Sequence, residues 1–150
     1  MSQTNRQISY YTHNPADMNE AGIRNEMDVL GVILVVDDSP TICRLVATTL
    51  EKRGYQVHAA TDGMDALAKI NECSPDLIFL DITMPRLDGY QLCKIIKSNA
   101  DLKQTPIVML SGKDGLLDKV KGRMAGASDY ITKPFKPNTL IQTVAKHVNR

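Results

Sequence analysis

Residues 77–89 read Leu77-Ile78-Phe79-Leu80-Asp81-Ile82-Thr83-Met84-Pro85-Arg86-Leu87-Asp88-Gly89. Four apolar residues lead to Asp81, and a turn rich in Pro, Asp and Gly follows. A short apolar run bounded by turn signals reads as a strand covered on both faces. Its last residue is a carboxylate at the mouth of that strand. A buried charge is costly unless paired or metal-bound, so the rest of the chain must compensate it.

The pattern repeats in both directions. Upstream, "VILVV" (32–36) is a β-branched apolar run that ends in Asp37 and Asp38. Ser39 suits a helix cap and Pro40 the first helical position. Ile42, Leu45, Val46, Thr49 and Leu50 then recur at helical spacing until Gly54. "YQVHAA" (55–60) predicts a second strand. "TDG" (61–63) turns into a helix carrying Met64, Leu67, Ala68 and Asn71, ended by Ser74-Pro75.

Downstream, Gly89 to Ser98 predicts a helix with Leu92, Ile95 and Ile96 inward. "IVMLS" (107–111) is a fourth strand, and a weaker helical pattern carries Leu117, Val120 and Met124. "SDYIT" (128–132) is a fifth strand. After the Lys133-Pro134-Phe135 turn, Leu140, Ile141, Val144 and Val148 mark a last helix. Five apolar strands alternating with five helices predict an α/β fold, a doubly wound five-stranded parallel sheet between two helical layers. Functional groups in such sheets gather beyond the carboxyl ends of the strands.

Composition narrows the function. The 150 residues are 43% hydrophobic and 23% charged, the balance of one ordinary globular domain. A net charge of +1 and few aromatics argue against a nucleic-acid surface or a membrane-binding face. Cys43, Cys73 and Cys93 form no C-x-x-C pair, as expected of reduced thiols in a cytoplasmic protein. Cys43 and Cys93 fall on helices and read as inert buried thiols. His13, His58 and His147 share no spacing and read as structural or exposed, not as metal ligands. No signal peptide or membrane span is expected. Residues 1–30 are rich in Asn, Gln, Ser and Thr and read as a flexible extension preceding a domain over 31–150. Asn14, Pro15, Ile23, Met27 and Leu30 allow one short helix there, whose apolar face could meet the domain or a partner.

The strand ends hold a constellation. The first brings Asp37 and Asp38, the third Asp81, the fourth Ser111, and Lys133 follows the fifth after a short turn. Three carboxylates close together raise one another's pKa. The Lys133 ammonium and a hard divalent cation such as Mg²⁺ would balance them. An aspartate in that setting can act as a nucleophile towards phosphorus, where positioning and charge neutralisation dominate.

In these pieces, "VVDDSP", "LDITMPRLDG", "VMLSGK" and "DYITKPF", the chain from about 31 to 149 resembles the receiver domain of two-component response regulators, the CheY-like family. The resemblance implies a flavodoxin-like fold and a phosphoryl group accepted by Asp81 from a histidine kinase or histidine phosphotransfer protein. It implies Mg²⁺ held directly by Asp38 and Asp81, by the Thr83 carbonyl, and by Asp37 mainly through water. Ser111 and Lys133 would contact the phosphoryl oxygens, Tyr130 would be the aromatic switch residue, and the peptide before Pro134 would be cis. Self-phosphorylation and self-dephosphorylation would be the only chemistry, so the protein is not expected to be an enzyme in the ordinary sense.

No effector segment follows the last helix, which implies a stand-alone receiver of the chemotaxis or pilus-motility type. The alternative is an intermediate carrier in a phosphorelay. The output would leave through the fourth helix, fifth strand and fifth helix, where Lys119, Lys121 and Arg123 are candidate contacts. The bound species would be a protein target or a second copy. A haloacid-dehalogenase-like phosphatase is disfavoured because Thr83 stands where its second aspartate would be. A nucleotide hydrolase is disfavoured because "SGKDG" lacks the earlier glycine of a phosphate-binding loop.

Overall fold

The computed structural model describes residues 29–112 and 116–148, with the backbone alone at 116 and 117. The reading of a short helix near Asn14 therefore lies outside the described residues, as does the side chain of Leu117. Five strands alternate with five α-helices: β1 (Val32–Val36), α1 (Pro40–Glu51), β2 (Gln56–Ala60), α2 (Gly63–Cys73), β3 (Leu77–Asp81), α3 (Gly89–Lys97), β4 (Ile107–Ser111), α4 (Leu116–Ala125), β5 (Asp129–Thr132) and α5 (Pro137–His147). A short 3₁₀ turn, Ala100–Leu102, lies between α3 and β4 and was not expected from the sequence.

The strands form one parallel sheet in the order β2-β1-β3-β4-β5. Every residue of β3 and β4 is buried, as their unbroken apolar sequences require. Alternate residues serve opposite layers. Ile33, Val35, Phe79, Val108 and Leu110 pack with Val46, Leu50, Leu140 and Val144 of α1 and α5. Leu34, Val36, Ile78, Leu80 and Met109 pack with Ala66, Ile70, Leu92, Ile96 and Ala125 of α2, α3 and α4. Burying each large side chain contributes about 1.5–3 kcal/mol, which holds the strand ends in fixed relation.

The local signals act as their chemistry dictates. The Ser39 hydroxyl accepts the Ile42 N–H at 3.3 Å and caps α1, with Pro40 in its first turn. Asp62 caps α2. Asp88 and Gln91 form a reciprocal capping box at the start of α3. Past the end of α1, Gly54 takes φ 96°, a left-handed conformation suited to glycine.

Ile95, read as inward, faces outward instead, as do three residues that carry the helical pattern. Met64 is 74% exposed, Ile95 43%, Val120 43% and Met124 79%. Ala68 and Asn71 are exposed too. The inward positions of these helices belong in large part to small residues: Gly63 and Ala66 in α2, Cys93 in α3, Gly122 and Ala125 in α4. Small residues at these positions let the helix backbones approach the sheet, while Ile70, Leu92 and Ile96 fill the space between them.

Candidate functional site

Strand order builds the site. Asp37 and Asp38 follow β1, Asp81 ends β3, Ser111 ends β4, and Lys133 follows β5 by one residue. Since β1, β3, β4 and β5 are neighbours in that order, these side chains stand in a row along the carboxyl edge. One oxygen from each of Asp37, Asp38 and Asp81 lies within 4.8 Å of the others. Asp37, Asp81 and Ser111 are buried, and Asp38 is exposed.

The hydrogen bonds fix each group. Asp37 accepts the Ser39 N–H at 2.9 Å through Oδ1 and the Lys133 ammonium at 2.8 Å through Oδ2. Asp81 Oδ1 accepts the Thr83 N–H at 3.2 Å and its hydroxyl at 3.1 Å, and lies 3.5 Å from Lys133 Nζ. The nearest carboxylate to Lys133 is therefore Asp37, with Asp81 second. The Lys133 N–H donates to the Ser111 carbonyl at 2.6 Å, which joins the ends of β4 and β5. The Lys133–Pro134 peptide is cis.

The electrostatics follow from crowding and burial. Burial pushes the Asp37 carboxyl above its usual value and the Asp81 charge adds to it; the Lys133 and Ser39 hydrogen bonds pull the other way without cancelling it. Burial works against the Lys133 charge, but Asp37 and Asp81 together raise its pKa. Burial pushes the thiol of Cys43 up to about 11. Cys43 Sγ donates to the Asp37 carbonyl at 3.4 Å and acts as packing under the site, in keeping with its reading as inert. Three acids against one ammonium make a set of hard oxygen donors that fits a divalent cation with oxygen preference.

Sequence reasoning passed over Gly89. A Cβ at this position would stand 2.5 Å from the Asp81 carbonyl oxygen and 2.6 Å from Ile82 Cα. Only glycine lets α3 start against the backbone that carries Asp81. The spacing of an aspartate eight residues before a helix-opening glycine was the available signal.

Tyr130 is half-buried on β5, in register with Met109, and packs on the α2–α4 side of the sheet. The Lys119 ammonium sits 5.8 Å from its ring centroid. Ser111 lies two residues after Met109, so it shares that face of β4. Of the histidines, His58 is buried, with its pKa lowered by burial. His147 Nε2 lies 2.9 Å from Asp129 Oδ2. Neither belongs to the acidic cluster, and His13 lies outside the described residues.

With this geometry in place the chain is assigned to its class: it belongs to the response regulator receiver domain family, which matches over residues 33–145. Among individual proteins, it is 53% identical over 116 residues to Protein PilG of Pseudomonas aeruginosa, covering 77% of this chain and 86% of that one. Among solved structures it resembles the Vibrio cholerae chemotaxis protein CheY4, with 37% identity, TM-score 0.74, and coverage of 77% of this chain and 97% of that one. A putative response regulator from Chloroflexus aurantiacus gives 36% identity and TM-score 0.76, with coverage of 80% and 98%. The expected fold and the expected family are both what the structure and these relatives show. Among the described residues, no helix is long and apolar enough to cross a membrane.

Proposed function

We propose that Asp81 is the phosphoacceptor of a stand-alone response regulator and that its modification switches the α4–β5–α5 surface. The observation that carries this is the buried Asp81 carboxylate between Thr83 and Lys133, with two further aspartates within 4.8 Å. A carboxylate oxygen of Asp81 would attack phosphorus on a phosphohistidine of the partner kinase or phosphotransfer protein. The P–O bond forms as the P–N bond breaks, and the imidazole leaves with the electron pair. Lys133 would swing part of its charge from Asp37 to the arriving oxygens, and the Ser111 hydroxyl would donate to one of them. Asp38, Asp81 and the Thr83 carbonyl, with Asp37 through water, would hold Mg²⁺, which supplies neutralisation of the phosphoryl charge. We read residues 31–150 as the receiver domain, 1–30 as an extension, and the location as cytoplasmic.

Aspartyl-phosphate adds about 1.5–2 negative charges and strong acceptor oxygens. Drawing Ser111 towards them would open space on the Met109 face of β4. Tyr130, in register with Met109, would turn into it. That is a two-state repacking biased by local charge. The likeness to a chemotaxis protein supports a stand-alone output to a protein target or second copy over a phosphorelay carrier.

The test is amide exchange over residues 111–148 with beryllofluoride, a phosphoryl mimic. The wild type should change there, and Ser111→Ala should still bind the mimic with a much smaller change. No change in the wild type, or an equal change in Ser111→Ala, contradicts the switch.

A further inference from the structure

The outer face of α4 carries exposed apolar residues among cations. Gly122 and Ala125 point inward, while Val120 and Met124, four residues apart, form an exposed apolar stripe. Lys119, Lys121 and Arg123 interleave it, and all three are exposed. Beside the stripe runs a groove lined by Lys119, Arg123, Ser128, Asp129, Tyr130 and Lys146. Its acid, Asp129, is engaged by His147 at 2.9 Å and by Lys146 at 3.7 Å. The surface is apolar and cationic at once, and calls for a segment that carries both acidic and apolar side chains.

The chain carries such a segment. Residues 1–28 hold Asp17, Glu20, Glu26 and Asp28 against Arg6 and Arg24, a net charge of −2 within a chain of net charge +1. The remainder is therefore +3. Tyr10, Tyr11, Met18, Ile23 and Met27 are interspersed among these charges. Position favours the same pairing. Leu30 lies in a groove with Pro106, His147 and Val148, and His147 is the residue that bonds Asp129 of the basic groove. The segment thus joins the fold next to the surface that complements it, and ten extended residues reach about 33 Å.

We propose that residues 10–27 dock on the Val120–Met124 stripe and its basic groove within the same chain. The docking stands on charge and placement. Its consequence, that the segment competes with the output partner for the α4–β5–α5 face, rests on the function proposed above.

Amide exchange on the full chain tests it. Residues 10–27 should exchange about tenfold more slowly than an unprotected peptide at low salt, at a rate independent of protein concentration. Raising salt to about 0.5 M should remove most of that protection. So should Lys119→Glu/Arg123→Glu, and so should Met124→Ser, a change at a residue 79% exposed that leaves the core untouched. Unprotected rates in the wild type, or protection that both variants retain, overturn the proposal. Protection that grows with concentration assigns the surface to a second copy and overturns it too. Protection that beryllofluoride leaves unchanged upholds the docking and counts against the output-face reading alone.

Discussion

Lys133 reaches along the ends of β4 and β3 to place its ammonium 2.8 Å from Asp37 Oδ2, the buried acid that follows β1. The pair binds the two sides of the site through its most buried carboxylate. It also leaves Lys133 within 3.5 Å of Asp81, so that one short swing changes its partner.

Removing this ammonium should cost stability as well as phosphotransfer. Lys133→Ala leaves Asp37 buried without its counter-charge, at an expected loss of about 2 kcal/mol at neutral pH. Asp37 already has a raised pKa, and the variant raises it further. Acid neutralises the group, so urea melts should show the deficit shrinking towards about pH 4. The wild type carries the opposite signature at high pH. The pKa of Lys133 is raised above 10.5 on folding, so its contribution is present below 10.5 and lost as pH climbs through the folded value.

Asp38 has a different task. It is exposed and adds a third negative charge to the cluster. Asp38→Ala should raise stability by less than about 1 kcal/mol without added metal, by relieving repulsion. It should weaken Mg²⁺ binding at least tenfold by calorimetry, on the order expected for the loss of one carboxylate ligand. Unchanged Mg²⁺ affinity would remove Asp38 from the ligand set.

Gly89 is a packing requirement with a functional address. In Gly89→Ala the new Cβ meets backbone at 2.5 Å, and backbone yields only by shifting Asp81 or tilting α3. The expected cost is about 2 kcal/mol or more, together with slowed phosphorylation. A variant as stable and as reactive as the wild type would show that the loop relaxes freely.

Much of the fold is legible from Leu77–Asp81 and its counterparts, because a strand buried on both faces must be apolar throughout and only its last residue is free to be chemical. The placing of Asp37, Asp38, Asp81, Ser111 and Lys133 at one edge follows from counting strands. The faces of the helices were harder to read. Periodicity gives weight to large apolar residues, and so Ile95 reads as inward while Met64, Val120 and Met124 mark their helices. The buried positions are instead Ala66 and Ile70, Leu92, Cys93 and Ile96, and Gly122 and Ala125, a phase that the large apolar residues alone do not mark. The partner of Lys133 was also hidden. Strand ends show which charges converge, but not that Lys133 comes within 2.8 Å of Asp37 and stays 3.5 Å from Asp81.

The Asp129–His147 pair ties the start of β5 to the end of α5. Burial alone would raise the Asp129 pKa, but the His147 bond, the Tyr130 N–H and Lys146 outweigh it and hold it below 3.8. A depressed carboxylate contributes stability above its unfolded pKa and loses it as pH falls through the folded value. Asp129→Asn should therefore cost about 1 kcal/mol at neutral pH. Its melting temperature should converge with that of the wild type as pH falls below 3.8. A deficit that persists there would assign the loss to packing.

The central claim is that Asp81 accepts the phosphoryl group, and intact mass measurement after incubation with acetyl phosphate and Mg²⁺ tests it most directly. One phosphoryl addition is predicted on the wild type, located to Asp81 after borohydride trapping, and none on Asp81→Asn. An equal mass increase on Asp81→Asn would contradict the account.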